Sequence, residues 1–176
     1  QHMMFHAVPV LWKLHRVHHA DLDFDLTTGT RFHPIEIVLS MLIKFAAIAV
    51  LGPPVLAVVI FEVLLNATSM FNHGNTRMPV ALDRAMRWLI VHHSIEEDET
   101  NSNFGFNLPW WDRIFRTYRA QPRAGHTGMT IGIRSHTDPR QVSRLLGMLL
   151  MPISSAALGR LAISLRARWS SLCRHR

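Results

Sequence analysis

The sequence predicts an all-α protein, an integral membrane helical bundle that carries a cytosolic, histidine-rich, metal-binding cap. Three observations support this fold class. Hydrophobic residues make up 48% of the 176 residues and charged residues only 18%, whereas about a quarter of the residues of a soluble domain are charged. Residues 35–71 form an apolar stretch with a break at Gly-Pro-Pro. Twelve histidines accompany a single tyrosine, and this excess indicates metal binding.

The composition also excludes several classes of protein. The apolar excess argues against a disordered chain, and the single cysteine, Cys173, excludes a disulfide framework or a thiolate zinc site. The chain begins with Gln1 and shows no signal peptide. Because His2 follows immediately, we expect the chain to be a fragment of a longer protein.

The residue pattern of the N-terminal part of the chain predicts two helical segments separated by a loop. Residues 3–17 suit a helix that is broken or bent at Pro9, and the polar residues 21–31, with Thr-Thr-Gly, predict a loop. His33 and Pro34 predict the next helix start, since proline is favoured at the first helical position and a glutamate follows in the first turn.

The apolar stretch predicts a helical hairpin that spans or re-enters the bilayer. Its two halves, residues 35–51 and 55–71, approach the roughly 20 residues of a spanning helix. Each half carries one charge, Lys44 or Glu62. Glu62 either pairs with a histidine or arginine inside the hairpin or lies near a membrane edge. The alternative is a pair of buried helices in a soluble bundle.

The remaining chain is less regular. We expect a turn at Gly74-Asn75, irregular structure or capped helix ends over residues 92–107, and a short amphipathic helix with an aromatic face over residues 108–118. Trp110 and Trp111 on that helix are expected to anchor it at the membrane interface.

We divide the chain into a domain of residues 1–120 and a loop with an apolar, basic helical tail over residues 121–176. The net charge of +7 permits binding to nucleic acid or to a membrane surface. The arginines are not gathered on one polar helix, which disfavours nucleic acid. Instead, several flank the last apolar segment, which favours a cytoplasmic membrane surface: Arg160, Arg166, Arg168, Arg174 and Arg176.

The histidines fall into spaced clusters. His2 and His6 are four residues apart, as are His15 and His19, so each pair shares one face of a helix. Neutral imidazole binds iron, copper or zinc well. Eight histidines are therefore predicted metal ligands, whereas His126, His136 and His175 are predicted to be structural or solvated: the ligands are His2, His6, His15, His18, His19, His73, His92 and His93.

Several motifs in order resemble the fatty acid hydroxylase (sterol desaturase) superfamily over about residues 1–120. They are HxxxH at 2–6, HxxHH at 15–19, RFHPIE at 31–36, FNHGN at 71–75 and HHS…ETNSNFGFNLPWWDRIFRTY at 92–118. The resemblance implies an integral membrane enzyme with a histidine-bound di-iron centre, which uses dioxygen and electrons to hydroxylate or desaturate lipid chains or sterols.

The resemblance also implies roles for single residues. His2 and His6 would form the first histidine box, and the HxxHH motif at 15–19 the second. His73 and the pair 92–93 would complete the cluster. Asp21 and Glu99 are candidates for orienting imidazole N–H groups, although each could equally be a loop charge or a helix cap. His33 is either a ligand or a histidine hydrogen-bonded near the helix start.

The implied cofactors are two iron ions, with dioxygen as co-substrate. The implied partners are a lipid or sterol, the membrane and an external electron donor (a ferredoxin, cytochrome or reductase), because the chain has no flavin or nicotinamide fingerprint. No nucleic-acid partner is expected. The metal site is expected on the cytoplasmic side.

The sequence departs from the family at two places. Leu89 stands three residues before His92, where the third HxxHH box has a histidine, so we expect that a short segment carrying one histidine has been lost. The family usually has hydrophobic helices ahead of the first box, and we expect this chain to lack them, since His2 is its second residue. Two further hypotheses therefore stay open: a non-catalytic membrane remnant, and a zinc-dependent hydrolase, for which a strong HExxH motif is lacking.

Overall fold

The computed structural model describes residues 1–74 and 88–153, and these ranges are mainly helical. No strand occurs within them, and backbone pairing is limited to isolated bridges, Ser94 with Ile131 and Ile133 with His136. Of the predicted turn at Gly74-Asn75, only Gly74 is among the described residues. The arginine-rich tail from residue 154 onward lies outside them. The α-helices are α1 (His2–Ala7), α2 (Pro9–His19), α3 (Pro34–Leu51), α4 (Val55–His73), α5 (Glu97–Thr100), α6 (Trp110–Phe115), α7 (Gly125–Gly128), α8 (Pro139–Val142) and α9 (Leu145–Leu150). Three segments are 3₁₀ helices: Leu26–Thr30, Trp88–His93 and Met151–Ile153.

The predicted break near Pro9 separates α1 from α2. Val8 is extended, with φ −94° and ψ 116°, and Pro9 takes the first position of α2, where its missing N–H costs no helical hydrogen bond. The chain therefore changes direction at Val8, and α1 packs back against α2.

The predicted loop after α2 contains the 3₁₀ helix Leu26–Thr30. Asp25 caps it by accepting from the backbone N–H of Thr27 at 2.7 Å, while the Thr28 hydroxyl accepts from the backbone N–H of Asp25 at 3.1 Å. This helix packs on α4. A Cβ at Gly29 would lie 3.2 Å from Nδ1 of His73, so glycine permits the close approach.

The hairpin prediction is confirmed as a pair of apolar helices. α3 begins at Pro34, with His33 as its N-cap, and ends at Gly52, whose φ of 59° is left-handed, a conformation that glycine adopts without steric penalty. α3 and α4 have 18 and 19 residues and mean hydropathies of 2.1 and 1.8, and only 6% of each apolar window is buried. Both are long and apolar enough to cross a membrane.

One ion pair joins the two apolar helices. Nζ of Lys44 lies 2.7 Å from Oε1 of Glu62. The sequence analysis left two alternatives for Glu62, a histidine or arginine partner inside the hairpin or a position near a membrane edge. The structure gives Glu62 a partner inside the hairpin, but this partner is a lysine of the facing helix. Pairing lowers the cost of placing each charge among apolar side chains.

The segment that follows α7 packs against the N-terminal half. Val17, Ala20, Val142 and Met151 form a small buried core. The fully buried Arg16 donates to the carbonyl of Met151, and Arg31 donates to the carbonyl of Val142. Residues 139–153, which the sequence analysis assigned to the tail, thus cover the outer face of α2.

Candidate metal centre

Five predicted ligands meet in one group. The i, i+4 spacing on α1 and on α2 places each histidine pair on one helix face, and the 3₁₀ helix Trp88–His93 adds a fifth imidazole. A ligand nitrogen of each lies within 4.8 Å of the others. We call this the five-histidine group: His2, His6, His15, His19 and His92.

The other three predicted ligands, His18, His73 and His93, form a three-histidine group by the same distance criterion. It lies beside the first group because consecutive residues on α2, and again on the 3₁₀ helix, point in different directions. The ring centroids of His18 and His19 are 5.4 Å apart, and those of His92 and His93 are 5.7 Å apart. The structure thus brings all eight predicted ligands together, in two adjacent groups.

Hydrogen bonds from Nδ1 fix the orientation of several rings. Nδ1 of His2 donates to the carbonyl of Phe104, Nδ1 of His92 to that of Ser102, and Nδ1 of His73 to that of Ser69, each at 2.7 Å. A proton on Nδ1 leaves the lone pair on Nε2. Such outer hydrogen bonds are typical of metal-binding histidines.

The Nε2 atoms of the five-histidine group approach one another closely. Nε2 of His2 lies 3.0 Å from Nε2 of His15 and 3.0 Å from Nε2 of His92. With the protons on Nδ1, three lone pairs face one another, and a cation between them removes their repulsion. The geometry therefore fits a metal ion.

Buried ring nitrogens without partners support the same interpretation. Among the described residues, neither ring nitrogen of His19 or His93 has a hydrogen-bond partner, nor has Nδ1 of His18 or Nε2 of His73. An unsatisfied buried polar atom costs about 1–3 kcal/mol. A coordinated metal would satisfy one nitrogen of each of these rings.

Burial keeps these imidazoles neutral. Desolvation, together with the charge of neighbouring histidines around His2, lowers the pKa of His2 and His15 to about 3. The pKa values of five further ligands lie well below 6.5 for the same first cause: His6, His18, His19, His92 and His93. Neutral imidazole is the form that binds metal.

Glu36 is a site residue that the sequence analysis missed. Its Oε1 accepts from Nδ1 of His15 at 2.6 Å, and both side chains are buried. The sequence analysis assigned Glu36 only to the first turn of α3. Its position in the RFHPIE motif, at the polar start of an otherwise apolar helix, was the available signal.

The three residues predicted around the ligands have other partners. Asp21 accepts from Arg31 at 2.5 Å and from the Thr28 hydroxyl at 2.8 Å, so it holds the loop after α2. Glu99 accepts from the backbone N–H of Arg123 at 2.7 Å. Of the two alternatives that the sequence analysis left open for Asp21 and Glu99, these partners favour a role in the loops, and Glu36 is the carboxylate that contacts an imidazole.

His33 is the N-cap of α3. Its Nδ1 accepts from the backbone N–H of Ile35 at 3.2 Å, and its Nε2 donates to the carbonyl of Leu149 at 3.3 Å. Of the two alternatives in the sequence analysis, hydrogen bonding near the helix start is the correct one. Both ring nitrogens are engaged away from the two groups.

Phenylalanines border both histidine groups. Phe32 stacks on His18 with centroids 4.4 Å apart, and Phe24 lies 4.8 Å from His93. Phe104 lies 5.1 Å from His6. These rings limit water around the imidazoles, and an apolar shell of this kind controls solvent access to a metal.

Several characterised proteins are similar to this chain. The ornithine lipid hydroxylase of Rhizobium tropici is 28% identical over 137 residues, which cover 74% of this chain and 40% of the relative. The alkylglycerol monooxygenases of Xenopus tropicalis and Homo sapiens are 26% and 25% identical, over 80% and 73% of this chain and 32% and 29% of their own lengths. The chain thus spans well under half of each of these relatives. No solved structure matches the chain.

The model of the fatty acid hydroxylase family matches residues 1–117. This range contains all eight clustered histidines and Glu36. The chain therefore belongs to the fatty acid hydroxylase family.

Proposed function

We propose that this chain is the metal-binding part of a membrane-bound, dioxygen-dependent, non-haem iron enzyme that hydroxylates a C–H bond of a lipid. The observation that carries the proposal is the pair of buried, neutral histidine groups at the ends of two apolar helices.

The donor atoms suit two iron ions. All eight are imidazole nitrogens, which bind iron, and also zinc and copper. The five-histidine group would hold one ion and the three-histidine group the second. When bound, iron supplies the dioxygen chemistry that oxidises an unactivated C–H bond, which no amino-acid side chain can do.

The protein residues position and shield this centre. Glu36 holds the His15 ring with Nε2 directed inward, and the carbonyls of Phe104, Ser102 and Ser69 do the same for three other rings. The bordering phenylalanines exclude water. Fixed ligand orientation and a dry surrounding are what a protein contributes to metal chemistry.

In this proposal the hairpin spans the membrane, and the metal centre lies at the membrane surface. His33 at the start of α3 and His73 at the end of α4 both lie at the metal end. The Gly52 turn is one helix length away, about 27 Å for 18 residues, close to the thickness of the hydrocarbon core. We place the metal end on the cytoplasmic side, as the arginines flanking the last apolar segment predict.

The relatives indicate the substrate class. Their names specify ornithine lipid and alkylglycerol, which are both lipids, and both names indicate oxygen insertion. We therefore favour hydroxylation over desaturation, and a lipid chain over a sterol. Electrons would come from a ferredoxin, cytochrome or reductase.

A second candidate is the non-catalytic remnant. The observation that favours it is the unequal size of the two groups, five histidines against three, together with Leu89 at the box position where the family has a histidine. A weakened second metal site would abolish turnover while leaving the fold intact.

One experiment separates these candidates. The chain is purified in detergent under reducing, anaerobic conditions and loaded with ferrous iron. Iron and zinc per chain, oxygen consumption and the mass of added membrane lipids are then measured with a reductase system. Two irons and a lipid gain of one oxygen atom support the proposed hydroxylase. One iron or fewer without product supports the remnant, and a protein that retains zinc and consumes no oxygen supports the hydrolase.

A further inference from the structure

We propose that α6 is an interfacial helix that inserts an aromatic face into the lipid leaflet at the metal end of the hairpin. Four large apolar side chains on this six-residue helix are between 57% and 67% exposed. They are Trp110, Trp111, Ile114 and Phe115. Exposed apolar patches of this kind mark membrane or protein contacts.

The opposite side of α6 is fixed to the protein. Asp112 is buried, and its carboxylate accepts from the backbone N–H groups of Phe104 at 2.7 Å and Gly105 at 2.8 Å and from the Thr117 hydroxyl at 2.7 Å. These three bonds set the rotation of the short helix about its axis. The aromatic face is therefore held outward.

The segment before α6 is bound to the metal end of α4. Asn72 donates to the carbonyl of Phe106, and the Thr68 hydroxyl donates to Oδ1 of Asn107 at 2.8 Å. Thr68 and Asn72 lie in the last two turns of α4, which ends at His73. They are therefore within about 8 Å of the end of this helix. The aromatic face thus lies level with the end of this helix, where the surface of a bilayer would be.

The charges on α6 and at its C-cap favour a lipid over a protein partner. Arg113 and Arg116 are exposed, while the acidic residue of the helix, Asp112, is buried. Tryptophan and phenylalanine beside exposed arginines are typical of helices that lie in an anionic membrane interface. We therefore assign a leaflet containing anionic phospholipid as the partner.

Site-specific spin labelling tests this assignment without any reliance on metal or turnover. In full-length chain carrying Cys173→Ser, a nitroxide is attached at Ile114→Cys, and in a second protein at Arg134→Cys. Arg134 is the matched control because its side chain is 65% exposed on a different segment. Both proteins are reconstituted into vesicles of phosphatidylcholine and phosphatidylglycerol.

Collisions of the label with oxygen, which concentrates in lipid, and with a water-soluble nickel chelate are compared. We expect the ratio of oxygen to nickel accessibility to be at least several-fold higher at position 114 than at position 134. Equal nickel accessibility at the two positions would overturn the proposal. Low accessibility to both reagents at position 114 would also overturn it, because a protein surface would then cover α6.

A second measurement needs no introduced cysteine. Phospholipids brominated near the headgroup quench tryptophans in the interface, so we expect them to quench the unmodified chain more strongly than Trp110→Phe/Trp111→Phe. Identical quenched fractions in the two proteins would argue against insertion, even if a labelled variant failed to fold.

Discussion

Oε1 of Glu36, at the start of an apolar helix, accepts from Nδ1 of His15 at 2.6 Å, beside the five-histidine group. The bond links the apolar helix α3 to the five-histidine group and directs Nε2 of His15 toward His2, 3.0 Å away. Because outer hydrogen bonds orient metal ligands and raise their basicity, Glu36 is expected to tune metal binding without touching the metal.

Replacing Glu36 by alanine should weaken metal binding by about 10- to 100-fold, because His15 loses its acceptor and its ring orientation. The measurement is competitive titration with cobalt(II) in detergent. Glu62→Gln is the matched control, since Glu62 lies on the other apolar helix and pairs with Lys44. An affinity unchanged in Glu36→Ala, or lowered equally in both proteins, would contradict a positioning role.

Removing a ligand from the three-histidine group should cost one metal ion. In His73→Ala this group keeps two imidazoles, whereas the five-histidine group is intact. We therefore expect the metal content to fall by about one equivalent per chain, as measured by plasma emission spectrometry after dialysis. His126→Ala, which changes a histidine outside both groups, should retain the content of the unmodified chain. Loss of all metal in His73→Ala would show that the two groups do not bind independently.

Acidification should destabilise the metal-free protein. The pKa of His2 and His15 is lowered to about 3 in the folded state, so below pH 6.5 the unfolded chain binds protons that the folded chain excludes. The histidine contribution to stability is therefore full above pH 6.5 and falls as the pH drops toward 3, by up to about 1.4 kcal/mol per histidine per pH unit. The single buried Glu36, whose pKa is raised to about 8, acts in the opposite direction, and the several histidines outweigh it. Thermal unfolding in detergent between pH 8 and pH 5 measures this. A midpoint that rises on acidification would refute the expected sign.

Arg16 should contribute to stability rather than to metal chemistry. Arg16 is fully buried on α2, the helix that carries His15, His18 and His19, and it donates to the carbonyl of Met151. In Arg16→Met that carbonyl loses a charged donor, and we expect a loss of roughly 2–3 kcal/mol in the free energy of unfolding. Arg134→Ala, which breaks an exposed pair with Glu96, should change it by less than about 1 kcal/mol. Equal effects of the two substitutions would show that residues 139–153 are not held by Arg16.

The sequence by itself determined the helices and which histidines form the cluster. Helix starts and breaks follow from the local backbone geometry of proline and glycine. Proline stands at or next to the first residue of α2, α3 and α4, and Gly52 ends α3 at the hairpin turn. The i, i+4 spacing of the histidines on α1 and α2 is likewise a local property that periodicity reveals.

Only the tertiary structure decided how the eight histidines divide into two groups and which residues orient their rings. His18 and His19 are adjacent in sequence yet belong to different groups. Consecutive helical residues point in different directions, so the His18 side chain faces His73 of α4, whereas the His19 side chain faces the five-histidine group. Glu36 reaches His15 across 21 residues, whereas Asp21, nearer in sequence, is taken by Arg31. The partners of such side chains are determined by how whole helices pack, and the local spacing of residues in the sequence does not specify this packing.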